Sequence, residues 1–259
     1  MVKLKKYISK LCGVCIVGGA GKRLRPFTSD QPKAMLPVGI EKRPMLEFAI
    51  KPWIKLGIKN YVFCTGYKSE SIEDHFGDGK NFGIKIDYSR EKTNLETGGA
   101  IKNAIENNIL NKNAPIVVFY CDDLVRLSPF DLVKMHIGGT KHGFKATIVT
   151  TNKFKTNYGI VEAKIQKSGL KKVTDFREKP LIEKNANVGL YVFEPDVLEL
   201  IDRRQSPFKL EKVIVPELVQ MGWLMMHEIS WEDWIPVNTD KEYEKVAKTD
   251  LMDFYSKVL

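Results

Sequence analysis

The chain has 259 residues, 43% of them hydrophobic and 28% charged, with a formal net charge of +9. That length can bury a sizeable core, and the composition is that of a globular protein rather than a disordered or fibrous one. No apolar run approaches the roughly 18 residues of a membrane span, and no nucleic-acid-binding pattern organises the scattered lysines. The positive charge suits anionic partners, nucleic acid or phosphorylated small molecules, and by itself decides nothing; the missing patterns leave neither nucleic acid nor membrane expected. Met1 to Leu11 is basic but lacks an apolar signal core and a cleavage site, so a cytoplasmic location is expected. Cys12 and Cys15 form a C-x-x-C, yet no second pair completes a zinc site. All four cysteines lie in or at the end of apolar β-rich runs, where cysteine acts as a small buried hydrophobe.

In chain order, CGVCIVGG reads as a buried strand running into a glycine-rich loop. Pro44 to Leu56 has helical apolar spacing, and Tyr61 to Thr65 is the next strand. Ser69 to Phe76 predicts a short helix, Ile84 to Tyr88 a strand and Gly98 to Ile109 a helix. Ile116 to Tyr120 is a strongly apolar strand that runs out at Asp122 and Asp123. Shorter strands follow at Lys145 to Thr151, Gly159 to Ile165, Lys172 to Arg177 and Val188 to Phe193. Helices are expected at Pro195 to Ile201, Leu210 to Met221 and Asp240 to Lys248. Alternation of strands and helices predicts an α/β fold with a Rossmann-like, mostly parallel mixed sheet and helices on both faces. No linker or repeat divides the chain. One domain over 1–259 is expected, with 1–11 as an N-terminal extension and 240–259 as a helical tail.

The most informative stretch is VGGAGKRLRPFTSDQPKAMLPV, Val17 to Val38. Gly18, Gly19 and Gly21 directly after a buried strand permit a tight loop whose N–H groups can face a phosphate. Lys22, Arg23, Arg25 and Lys33 add positive charge. A P-loop is excluded, because Ile16 stands where its first glycine belongs and Arg23 where its Ser or Thr belongs. A dinucleotide fingerprint is excluded by Leu24, which occupies a position that must be small.

These residues resemble the sugar-phosphate nucleotidyltransferase family, whose pattern is G-G-x-G-x-R-L-x-P-x-T followed by P-K-x-x-x-P-V. Here Gly18, Gly19, Gly21, Arg23, Leu24, Pro26 and Thr28 match, then Pro32, Lys33, Pro37 and Val38. The resemblance extends over nearly the whole chain: L-E-T-G-G-A at 95–100, Y-G-I-V-E at 158–162, F-R-E-K-P at 176–180 and N-V-G-L-Y at 187–191. It implies an enzyme that joins an NTP to a sugar 1-phosphate, releasing pyrophosphate. The implied nucleotide side is Gly18, Gly19, Gly21, Lys22, Gly98 and Gly99, with Arg23, Lys33 and Asp122 as catalytic residues. The implied sugar-phosphate side is Glu162, Lys179 and Asn187. Glu96 departs from the family, which carries glycine there. Relatives that self-associate make a homo-oligomer an expectation as well.

Direct attack of a sugar phosphate on the α-phosphorus needs alignment and charge neutralisation, which Mg²⁺ with carboxylate and phosphate oxygens supplies. Asp122 ends a buried strand, where an α/β sheet places its ligands. In the family a small residue precedes the metal-binding aspartate, a slot Cys121 fills, so the register selects Asp122 over Asp123. The second implied ligand comes from Trp234-Ile235-Pro236-Val237-Asn238-Thr239, with Asn238 in the aspartate slot of the W-x-P-x-D-T pattern and Asp233 as the fallback. A protein that senses nucleotide sugars without turnover is the alternative. Lost loop cations or a lost metal aspartate would mark it, whereas Arg23, Lys33, Asp122 and Lys179 are all present. Features of both guanylyl- and cytidylyltransferases leave the base and the sugar open.

Overall fold

Seven strands join in one sheet. In chain order they are β1 (Cys12–Ile16), β2 (Asn60–Thr65), β3 (Lys85–Arg90), β4 (Ile116–Phe119), β5 (Ala146–Thr151), β6 (Ala186–Phe193) and β7 (Leu224–Ile229). The computed structural model, which describes residues 2–258, orders them β7-β5-β6-β4-β1-β2-β3. Strand β1 is parallel to β2 and β4, β2 to β3, and β5 to β7. Only β6 runs antiparallel to its neighbours, β4 and β5. This is the mixed, mostly parallel sheet that the sequence predicts.

Strand alternation divides the core into two layers. Cys15, Tyr61, Phe63, Val117 and Phe119 face one side, where α1 (Val2–Ile8), α2 (Met45–Leu56), α3 (Glu70–Phe76) and part of the core of a later helix cover them. Val14, Val62, Cys64, Ile116 and Val118 face the other, under α4 (Glu96–Glu106). The later helices are α5 (Pro129–Thr140) on the first side and α6 (Pro195–Asp202) and α7 (Leu210–Gln220) on the second. Trp53 of α2 meets Phe119 edge-on at 5.3 Å. Each such fully buried apolar side chain contributes about 1.5–3 kcal/mol. All four cysteines are free, and three are buried, as apolar packing requires.

A third cluster positions the glycine loop. Leu24, Leu36 and Val38 pack with Met45, Phe48, Val237, Tyr243, Val246 and Leu251, so the tail helices α8 (Asp240–Val246) and α9 (Leu251–Tyr255) brace the segment after β1. Tyr243 Oη donates to the Pro37 carbonyl at 3.1 Å, and the Gly39 N–H donates to the Val246 carbonyl at 3.1 Å.

Three elements differ from the sequence reading. The edge strand β7, LMMHEI, carries polar residues in its middle, and its pairing with β5 supplies what the pattern lacks. Helix α5 starts at a Ser-Pro cap, where Ser128 Oγ accepts from the Asp131 N–H at 3.2 Å, but Gly138 and Gly139 obscure its periodicity. The N-terminal segment is helical because Ile8 is buried and Tyr7 Oη donates to Glu194, a residue 187 positions away. Among the described residues, no helix is long and apolar enough to cross a membrane.

Candidate active site

The loop that leaves β1 is shaped by close approach. A Cβ on Gly18 would lie 3.3 Å from the Gly66 nitrogen, and the Gly18 carbonyl accepts from the Tyr67 N–H at 3.1 Å. Gly21 has φ +56°, a left-handed conformation that favours glycine, and the buried Thr28 donates to its carbonyl at 2.9 Å. Among the described residues, the N–H groups of Gly19, Ala20 and Gly21 have no protein acceptor, which leaves them free for an anion. Leu24 is buried and anchors the following single turn, Lys22–Leu24, so that Lys22 and Arg23 point outward. A second short turn, Lys33–Met35, returns Lys33 to the same place.

A cavity of about 350 Å³ results, lined among others by Gly19, Gly21, Lys22, Arg23, Lys33, Asp122 and Asn238. Residues from both ends of the chain thus meet at the C-terminal edge of the sheet, where α/β folds bind their ligands. A larger opening of about 630 Å³ adjoins it, lined by Gly18, Gly19, Lys22, Gly66, Tyr67, Glu91, Glu96 and Lys209.

The two aspartates are not equivalent. The Asp122 side chain is 41% exposed and faces the cavity, whereas that of Asp123 is 9% exposed. Asp123 accepts from the Val237 N–H at 2.9 Å, Trp234 Nε1 at 2.9 Å and Asn238 Nδ2 at 3.2 Å. Burial, then the neighbouring Asp122 carboxylate, push its carboxyl up to about 7 against the pull of Lys33 and those hydrogen bonds. Its place is structural: it ties Trp234–Pro236, which pairs antiparallel with Asp123–Val125, to Asn238.

Asn238 is held by the helix it precedes. Its N–H donates to Glu242 Oε2 at 2.8 Å, beside the capping box of Thr239 and Glu242 at the start of α8. Asn238 Oδ1 accepts from Arg23 Nη2 at 3.1 Å and Lys33 Nζ at 3.3 Å. Two cations on one side and the Asp123 carboxylate on the other fix which end of the amide is oxygen. Lys33 Nζ lies 3.6 Å from Asp122 Oδ2 and 3.9 Å from Asp123 Oδ1. Asp122 and Asn238 therefore present oxygens to a common positive charge. Lys33 is only 12% exposed, so its ammonium is held among these oxygens and not in open solvent.

Other predicted residues stand apart from the cavity. Gly98 and Gly99 are buried in the first turn of α4, where both N–H groups donate to the Phe208 carbonyl, at 2.9 and 3.2 Å. A Cβ on Gly98 would meet the Phe208 ring at 2.1 Å, so these glycines serve helix packing, and their neighbours Glu96 and Thr97 reach the openings instead. Glu162 and Lys179 lie exposed in the outer segment, Glu162 paired with Arg177 at 3.1 Å. Asn187 turns its amide to Tyr191 Oη and its oxygen to the Gly189 N–H at 3.0 Å. Asp233, the fallback ligand, is bound by Arg126 Nε at 2.6 Å and lines neither opening. Sequence reasoning missed Glu91, Thr97 and Tyr120. No motif marks Glu91, whereas Thr97 sits inside the matched L-E-T-G-G-A. Glu96 and Cys121, at φ +62° and +53°, take left-handed conformations, which glycine adopts without strain.

Comparison with known proteins bears on the chain's family and fold. The chain is 31% identical over 233 residues to mannose-1-phosphate guanyltransferase beta-B of Xenopus laevis, an alignment covering 88% of this chain and 61% of that protein. It therefore spans about three fifths of the length of the curated relatives it matches. Among solved structures, a Bacillus anthracis protein provisionally identified as a glucose-1-phosphate thymidylyltransferase superposes with a TM-score of 0.69 at 22% identity, covering 92% of this chain and 94% of that one. A UDP-glucose pyrophosphorylase bound to UDP-glucose gives a TM-score of 0.67 at 21% identity, covering 96% and 99%. These two share the fold. The nucleotidyl transferase family model matches residues 12–248, and the chain belongs to that family.

Proposed function

We propose that the chain transfers a nucleoside monophosphate from an NTP to a sugar 1-phosphate, releasing pyrophosphate, with Mg²⁺ as cofactor. The observation that carries this reading is the convergence of Arg23, Lys33, Asp122 and Asn238 beside a glycine loop with free N–H groups. The loop N–H groups and Lys22 bind and orient the triphosphate. Arg23 and Lys33 neutralise charge that builds as pyrophosphate leaves, an effect strongest in a site with few waters.

The donor set fits a hard cation. Among the described residues no cluster of three His, Cys, Asp or Glu side chains could hold a metal alone, and the oxygens here are one accessible carboxylate and one amide. Mg²⁺ favours such sparse sites, completing its shell with water and phosphate. The Lys33 ammonium marks where a positive charge is already accommodated. Asp122 and Asn238 would hold the ion, and bound there it would supply charge neutralisation to the phosphates.

The relatives named as mannose-1-phosphate guanyltransferases support GTP and mannose 1-phosphate as substrates. Glu91 supports the base independently. It lines the larger opening, is partly buried, and among the described residues accepts a hydrogen bond only from the Leu95 N–H at 3.1 Å. A carboxylate is acceptor-only, and guanine presents adjacent N–H donors, whereas a uracil or thymine edge sets carbonyl oxygens around a single N–H. Pyrophosphate release across a matrix of NTPs and sugar 1-phosphates tests the proposal. GTP with mannose 1-phosphate and Mg²⁺ is expected to give the highest rate, and Glu91→Gln to erode the preference for GTP. Background rates throughout, with nucleotide sugars still bound, would overturn turnover in favour of sensing.

A further inference from the structure

The larger opening is lined by a fixed donor as well as an acceptor: Lys209 brings an ammonium to the wall that carries the Glu91 carboxylate. One residue ties the two together. The Leu95 N–H donates to Glu91 Oε2 at 3.1 Å, and the Leu95 carbonyl accepts from the Phe208 N–H at 3.2 Å, immediately before Lys209. Immediately after it, the Leu210 N–H donates to Thr97 Oγ1 at 2.9 Å. The backbone on either side of Lys209 is thus fixed to the segment that holds Glu91. Phe208 and Leu210 are buried, and the lysine side chain between them is 47% exposed. Its ammonium is seated by Glu96: Lys209 Nζ lies 3.5 Å from Glu96 Oε2, its one ion pair among the described residues. Glu96 holds that place at φ +62°, a conformation that costs a residue with a side chain more than an exposed ion pair returns. Strain of this kind collects at active sites and ligand clamps.

We propose that Lys209 reads position 6 of the purine, with Glu96 as its positioning residue; this rests on the reading of Glu91 as the guanine contact. Glu96 and Lys209 line the larger opening and not the cavity of Arg23, Lys33 and Asp122, so the pair serves the base rather than the phosphates. Of the other cations in that opening, Lys22 also lines the first cavity and Lys92 is exposed. Guanine sets its acceptor O6 beside N1–H. A base whose N1–H and N2–H groups meet the Glu91 carboxylate therefore turns O6 along the wall, where an ammonium can only donate. Adenine carries an amino donor at the same position, which an ammonium repels. The carboxylate selects two donors and the ammonium selects the acceptor next to them, a sequence that guanine alone presents among the four bases.

Calorimetric titration in the presence of Mg²⁺ tests this without turnover, using three ligands. They are GTP, inosine triphosphate, which lacks the 2-amino group, and 6-thioguanosine triphosphate, which keeps both N–H donors and replaces O6 by sulfur, a weaker acceptor. The wild-type chain is expected to bind GTP at least about 10-fold more tightly than the thio analogue. Lys209→Met is expected to bring that ratio to about 2 or less, while the preference for GTP over inosine triphosphate, which belongs to Glu91, stays. Lys209→Arg still donates at that place and should keep most of the ratio. Glu96→Gln should narrow it by about 2- to 5-fold and leave the preference over inosine triphosphate unmoved. Both side chains are partly exposed, so Tm should match wild type and separate lost recognition from lost folding. A wild type indifferent to sulfur at position 6, or a Lys209→Met chain that keeps the ratio, would overturn the assignment and leave the guanine reading standing. Equal weakening of all three ligands would do the same, by putting the lysine on the phosphates. A wild type that binds ATP, CTP or UTP as tightly as GTP would overturn both.

Discussion

Replacing Asp122 and Asp123 one at a time by alanine should separate chemistry from folding. Asp123→Ala removes the acceptor of the Val237 N–H, the Trp234 indole N–H and the Asn238 amide. The Asn238 amide can turn to water, but Val237 is fully buried and the indole partly so. Each buried donor left unpaired costs about 1–3 kcal/mol, and removing a carboxyl that burial already disfavours returns part of that. A net loss of about 3 kcal/mol lowers Tm by about 6–12 °C in a chain of this size. Among the described residues Asp122 makes one ion pair, 3.6 Å long and 41% exposed on the aspartate side, a geometry that contributes at most about 1 kcal/mol. Asp122→Ala should therefore melt within about 2–4 °C of wild type while pyrophosphate release falls at least about 10³-fold. Calorimetry and a coupled pyrophosphate assay on the two variants decide the matter. If Asp123→Ala melts like wild type, or Asp122→Ala keeps a tenth of its rate, the division of roles is wrong.

The same cavity gives further expectations. Arg23→Ala should cut kcat/KM at least about 10²-fold without moving Tm, whereas Lys33→Ala should lose both, since it leaves Asp122 and Asp123 facing each other without their cation. Asn238→Asp adds charge to the oxygen set and should lower the Mg²⁺ concentration for half-maximal rate; Asp233→Ala, which only breaks the Arg126 pair, should leave that concentration unchanged. Thr239→Ala removes the acceptor of the Glu242 N–H and should cost about 1 kcal/mol by thermal unfolding, with weaker Mg²⁺ dependence if the cap also steadies Asn238. Lys179→Ala should raise KM for the sugar phosphate well above any change for the NTP, and equal effects in steady-state kinetics would remove it from the sugar side.

Local pattern alone determined much of this protein. Apolar runs at 12–16, 61–65 and 116–120 are long and pure enough to specify buried parallel strands, and the glycines after the first specify a tight loop with free N–H groups. The family resemblance likewise implied one site for Arg23, Lys33 and Asp122, and the three line one cavity. Tertiary structure decided what depends on partners distant in sequence. Asp122 and Asp123 are chemically identical in the sequence, and only the arrival of Trp234, Val237 and Asn238 buries one and leaves the other to the cavity. Gly98 and Gly99 look like loop glycines until Phe208 closes on them, 110 and 109 residues later. Glu91 has no motif of its own, and a carboxylate becomes a candidate base contact only where the fold lines a cavity with it. The edge strand β7 and helix α1 form because β5 and Glu194 complete them. Backbone preference is written in neighbouring residues, whereas burial and electrostatics are set by whichever groups the fold brings within a few ångströms.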